Sequence, residues 1–134
     1  MNTQKAVPII ASLLRIVAGV LFLQAGGLKL FGWFGGMPGG GTVQLMSQIG
    51  IGSVLEFVGG SLMVLGLFTR PVAFILAGEM AVAYFQFHAP SGLWPIQNNG
   101  ESSVLFCFIF LFFAAYGGQG WSLDELLKNS KLKK

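Results

Sequence analysis

Four long apolar runs alternate along the chain with short stretches rich in Gly, Pro and amide side chains. The first runs from about Val7 to Leu30 and is interrupted by Arg15, Gln24 and Lys29. The second, from about Ile51 to Phe68, carries Glu56, and the third, from about Val72 to Phe87, carries Glu79. The fourth, from about Glu101 to Tyr116, is rich in Phe. Each lies near the lower end of the roughly 17–25 residues that a helix needs to cross a bilayer. Inside lipid the backbone must satisfy its own hydrogen bonds, which leaves helices and closed barrels. Runs this long and unbroken predict helices. The expected fold is therefore all-α: an integral membrane four-helix bundle, one domain over residues 1–134.

The connections carry turn chemistry. Gly35 to Gly41, GGMPGGG, reads as a loop, and Thr69-Arg70-Pro71 as a tight connection. Pro8 and Pro71 suit first helical turns, where a missing N–H costs nothing. Tyr84 to Glu101, YFQFHAPSGLWPIQNNGE, gathers His, Trp, two Pro, two Asn, Gln and Glu into a polar cap at one end of the bundle. Gly117-Gly118-Gln119-Gly120 stops the last span. Ser122 and Glu125 then have the S-x-x-E spacing of a capping box, which predicts a short helix from Leu123. Leu123, Leu126 and Leu127 share a face opposite the lysines, so the basic tail over residues 121–134 reads as a short interfacial helix.

Composition excludes a soluble domain. Hydrophobic residues make up 54% and charged residues 10% of the chain, with 13 Phe, against about 25% charged in soluble proteins. The net charge of +3 is concentrated in Lys128, Lys131, Lys133 and Lys134. Beside a membrane such a cluster faces anionic lipid rather than nucleic acid. Four spans put both termini on one side, and Lys5, Arg70 and the tail lysines mark that side as cytoplasmic. Arg15 breaks the first run where a cleaved leader would be uninterrupted, and no small-x-small site follows, so this run reads as a span. The single cysteine, Cys107, allows no internal disulfide and no CxxC pair.

Ionisable residues inside spans are costly and usually pair or serve a function. Arg15 and Glu79 each lie roughly two turns in from the same end of their runs, which predicts a structural Arg15–Glu79 ion pair. A second, outer cluster is expected from Gln24, Lys29, Glu56, His88 and Glu101, with Asn98 and Asn99 beside it and Trp33 and Trp94 as lids. Helix-to-helix glue is the competing reading of both groups. The outer cluster holds more polar groups than pairing needs, which favours a ligand site there. No metal-ligand spacing, Walker motif, dinucleotide fingerprint or G-x-S-x-G is present, so no metal and no catalytic residue is assigned.

Arg15 followed by LFLQAGGLKLFGWFGG, Glu56 in EFVGG, the LGLFTRP connection and AYFQFHAPSGLWPIQNNGE before a Phe-rich span together resemble the DoxX family, in order and over nearly the whole chain. The resemblance implies a four-helix protein of the bacterial inner membrane with both ends cytoplasmic. It also implies an association with redox complexes, since a relative is a subunit of a thiosulfate:quinone oxidoreductase. Without a CxxC pair, a redox role here requires a quinone or a partner protein. Two functions are expected on this basis. One is a polar pocket near the periplasmic end that binds a quinone or another small molecule in support of a redox complex. The other is a non-catalytic scaffold or assembly subunit. Expected partners are the lipid bilayer, a membrane or periplasmic redox protein and further copies of the chain.

Overall fold

The helices follow the apolar runs, with ends set by local caps. In the computed structural model, which describes residues 2–133, α1 spans Thr3–Phe31. It starts a turn before the apolar run because the Asn2 side chain accepts a hydrogen bond from the Gln4 N–H at 3.1 Å, satisfying one of the free amides of a helix start. Pro8 therefore lies inside α1 rather than at its start. α2 spans Gln48–Leu65, capped by Ser47 Oγ on the Gly50 N–H at 3.0 Å, and ends at Gly66, whose φ of +66° is the left-handed conformation that glycine adopts freely. α3 spans Thr69–Ala83 and continues through a π-helical turn, Tyr84–His88, and a 3₁₀ turn, Ala89–Ser91. A single turn, α4 (Pro95–Asn98), precedes α5 (Glu101–Tyr116) and the tail helix α6 (Leu123–Leu132). There is no strand among the described residues.

α1, α2 and the rod from Thr69 to Ser91 are long and apolar enough to cross a membrane, and α5 is apolar but shorter, at 16 residues. The helices pack as two pairs, α1 with α2 and α3 with α5. In the first pair the backbones touch through glycine. A Cβ on Gly60 would stand 2.5 Å from Leu23 N, and one on Gly19 would stand 2.8 Å from Gly60 O. Lipid gives helices no hydrophobic reason to associate, so close contact between small residues supplies the attraction. Phe22 joins the pairs, with its ring centroid 5.0 Å from Phe106 and 4.7 Å from Phe110. The outer surface carries large apolar side chains such as Ile10, Val17, Phe74, Phe85 and Phe108, as a lipid-facing surface does.

The tail is tied to the bundle. Ser122 caps α6, its Oγ accepting the Glu125 N–H at 3.1 Å, which is half of the expected capping box. The Asp124 carboxylate accepts the Phe68 and Thr69 N–H groups, each at 2.9 Å, and the Asp124 N–H donates to Gly66 O at 2.9 Å. Asp124 thus places a negative charge at the start of α3, where the helix dipole favours it. It also holds the α2–α3 turn, in which Phe68 takes a strained φ of +52°. At the same end the Trp121 N–H donates to Ser12 Oγ of α1 at 3.1 Å. The start of α1, the α2–α3 turn and the tail therefore share one end of the bundle, and the Gly-rich loop and the polar cap share the other. Replacing Asp124 by Ala should cost roughly 1 kcal/mol, as loss of a helix cap does. Limited proteolysis in mild detergent should then clip the tail faster; unchanged protection would show that Asp124 does not hold it.

Candidate functional site

The two helix pairs do not close against each other along their whole length. α2 and α3 touch where Gly59 meets Leu76, whose Cδ2 would lie 2.9 Å from a Cβ on that glycine. Toward the cap they separate. A Cβ on Gly52 would meet only Glu79 Oε1, at 3.1 Å, and one on Gly78 would meet nothing within 4 Å. The gap leads into a cavity of about 660 Å³ lined by all four long helices. α1 contributes Phe22 and Lys29, α2 Gly52, Leu55 and Glu56, α3 and its extension Glu79, Met80 and His88, and α5 Ser102, Ser103 and Phe106. Ile51, Leu55, Ile75 and Val82 on the lining are exposed, so the lips of the gap are apolar.

Inside it the charges have specific partners. Lys29, in the last turn of α1, places Nζ 2.8 Å from both Glu56 oxygens. Its cation also suits the negative end of the α1 dipole. The Glu56 side chain is 9% exposed and that of Lys29 is 29% exposed, so much of the pair is withdrawn from solvent. It is the one salt bridge among the described residues. Glu79 lies within electrostatic range of both members. Its Oε2 is buried without a hydrogen-bond partner among the described residues. His88 Nδ1 lies 3.0 Å from Asn98 O. A carbonyl only accepts, so Nδ1 carries the proton and Nε2 is left for the cavity. The imidazole stacks on Tyr84, with centroids 6.3 Å apart.

Other expected site residues fall outside the cavity. The Arg15–Glu79 pair does not form. Arg15 is 1% exposed and donates from Nη1 to Met63 O at 3.3 Å and from Nη2 to Trp121 O at 2.5 Å. It sits at the level of Gly66, where its Nη1 occupies the space that a Cβ would take. Depth counted from the apolar run misplaced it, because α1 is longer than the bundle needs at that end. Gln24 is exposed; five residues along a helix turn it about 140° away from Lys29. Trp33 lies over Gly27, its ring centroid 5.7 Å from that of Phe57, and so covers the α1–α2 seam. Trp94 is exposed ahead of α4, and Asn99 closes α4 in the left-handed conformation. Glu101 is exposed in the first turn of α5, while its neighbours Ser102 and Ser103 line the cavity.

Asn98 organises the cap loop instead of facing the cavity. It is buried; Nδ2 donates to Gly92 O at 2.8 Å and to Tyr84 Oη at 3.2 Å, and Oδ1 accepts the Gly100 N–H at 2.8 Å. With its own carbonyl on His88, it ties the loop to the end of the α3 rod. Sequence reasoning missed Glu79 as a cavity residue. The signal was there: a lone acid in an apolar run, like Glu56.

Comparison with known proteins places the chain among membrane proteins. The DoxX family profile matches residues 10–89. An uncharacterized protein of Haemophilus influenzae is 39% identical over 127 residues, covering 92% of this chain and 95% of that protein. The inner membrane protein YqjF of Escherichia coli is 30% identical over 126 residues, covering 84% and 88%. A Bacillus subtilis protein bearing the name "Putative oxidoreductase CatD" is 29% identical over 126 residues, covering 89% and 87%. No solved structure matches the chain.

Proposed function

The chain belongs to the DoxX family and is a multi-pass protein of the bacterial inner membrane, and from that premise we propose that its cavity holds a lipid-soluble small molecule, a quinone or a ring of similar character, in support of a redox complex. The observation that carries this reading is the mixture of surfaces: apolar walls of a size suited to a ring, with Lys29–Glu56, Glu79 and His88 converging on one volume. Binding sites for small molecules have this make-up, mostly apolar with a few placed polar groups. Lys29 keeps a third N–H beyond the two that Glu56 takes, and His88 keeps Nε2. Lys29 can donate to an oxygen on a ring, with Glu56 fixing where it points, and Nε2 of His88 can accept from a hydroxyl. The oxidoreductase name of the Bacillus subtilis relative agrees with a redox setting. The lysine-rich end would face the cytoplasm and the cap the periplasm, by the positive-inside rule.

A scaffold role draws on a different observation. Leu93, Trp94 and Ile96 are 76%, 64% and 79% exposed on the cap and lie outside the lining of this cavity. A partner protein docking there would cover them.

Native mass spectrometry of gently extracted protein separates these readings. Gly78 has open space where a side chain would go, so Gly78→Phe should plug the gap without disturbing the fold. The expected result is a small molecule carried by the parent and lost from this variant. A parent carrying only ordinary phospholipid would overturn the cavity reading in favour of the scaffold.

A further inference from the structure

A hollow of about 630 Å³ lies at the tail end of the bundle, between the α2–α3 turn, residues 117–120 and the first turns of α6. It shares no residue with the cavity near the cap. Glycine lets residues 117–120 lie directly on the start of α3. A Cβ on Gly118 would stand 2.7 Å from Thr69 Oγ1, and one on Gly117 would stand 3.0 Å from Arg70 Nε.

Donors collect here without acceptors. Thr69 is 1% exposed, and its Oγ1 has no hydrogen-bond partner among the described residues. The N–H of Gly118, also buried, has none among them either. Arg70 donates from Nη1 to Ala115 O at 2.7 Å, which fixes its guanidinium at the end of α5 and leaves Nε and Nη2. Buried polar groups without partners are costly, and native structures seldom keep them without a use. The oxygens of a phosphate can accept from all three residues, and Lys128 adds a second cation to the lining.

α6 adds acids to the same lining. Asp124 is engaged with the Phe68 and Thr69 N–H groups. Glu125 does not close the capping box, because the Ser122 N–H donates to Gly120 O at 3.0 Å instead. Arg70, Lys128 and Glu125 thus border one space and form no ion pair among the described residues. A bare phosphate would be repelled by that carboxylate, whereas a phosphate carrying an ammonium a few atoms away answers both signs. The bilayer supplies such a group. Arg70 and Phe74 share one face of α3, a turn apart, and Phe74 is exposed on the lipid-facing surface. A headgroup held by Arg70 therefore has its acyl chains beside Phe74.

We propose that this hollow binds the head of a zwitterionic aminophospholipid, with its phosphate on Thr69, Gly118 and Arg70 and its ammonium on Glu125. The site is separate from the cavity near the cap, so a lipid held here should survive Gly78→Phe.

The test is native mass spectrometry of the full chain, stripped of lipid in detergent. The probes are dihexanoyl-phosphatidylethanolamine, dihexanoyl-phosphatidylglycerol and phosphoethanolamine, which has the head without the chains. The parent should retain the ethanolamine lipid about fivefold better than the glycerol lipid, the upper end for an exposed ion pair. Glu125→Gln should erase that preference. Thr69→Val keeps the shape and the N–H that Asp124 accepts, and should weaken retention of both lipids. Its hydroxyl has no protein partner to lose, so the fold should stand, which protection of the Cys107 thiol from a reactive dye will verify. Equal retention of the two lipids by the parent, retention of neither, or a preference that survives Glu125→Gln overturns the proposal. Unchanged retention by Thr69→Val overturns the phosphate assignment. Phosphoethanolamine held as tightly as its lipid would show a soluble ligand in place of a membrane one.

Discussion

Arg15→Met should loosen the tail end of the whole bundle. The guanidinium is fully buried and joins three pieces of chain: α1, which carries it, the end of α2 through Met63 O, and the tail through Trp121 O. It also lies in the field of Asp124, which holds the start of α3. Methionine fills similar volume but gives these carbonyls no donor. Each orphaned buried acceptor costs about 1–3 kcal/mol, while relief of a buried cation offsets part of that. A net loss of about 3 kcal/mol should lower the melting temperature by roughly 10 °C for a chain of this size. The one cysteine, Cys107 in α5, is a built-in reporter, since a thiol-reactive dye will label it as the bundle opens. Arg15→Lys should recover only part of the loss. One ammonium cannot reach two carbonyls on separate elements as a planar fork does. A melting curve for Arg15→Met that overlays the parent would remove Arg15 from this role.

The helices could be read from the sequence because lipid leaves the backbone little choice. The start of α6 could be read because Ser122 and Glu125 sit at fixed local spacing. Lys29 and Glu56 were recognisable as members of one cluster, since both interrupt apolar runs near the cap end. Rotation about the helix axis was less legible. Gln24 shares the depth of the cluster but points outward, and Glu101 misses the cavity that the next two residues line. Depth failed for Arg15, because α1 overshoots the bundle and the tail folds back to meet it. No local pattern announces that a Trp121 carbonyl will return to a residue so far back in sequence. Residue type alone makes Trp33 and Trp94 candidate lids, but it does not say which side of a helix a loop will cover. Asn98 shows the converse: its amide is used up by the backbone of its own loop, a role that composition cannot separate from ligand binding.

The Lys29–Glu56 pair decides between glue and site, because a double-mutant cycle there can separate the two roles. Removing one member strands the other in a largely withdrawn position. Glu56 is the more deeply placed, so Lys29→Met, which leaves its carboxylate alone, should be the more damaging single change. Breaking a buried pair from one side costs about 3–5 kcal/mol. The 29% exposure of the Lys29 side chain puts the expected cost toward the lower end of that range. Glu56→Gln leaves an ammonium that can still reach solvent and should cost less. The double variant Lys29→Met/Glu56→Gln removes both charges at once. It should regain most of the lost stability, as replacement of buried ion pairs by uncharged groups commonly does. A double variant that melts no higher than Lys29→Met alone would contradict this account of the pair. The decisive comparison is then ligand retention by the refolded pair mutant. A pair that serves only to hold α1 to α2 predicts that retention returns with stability. A pair that also orients an N–H toward a bound oxygen predicts a stable bundle that has lost its ligand, and the proposed cavity function requires this second result.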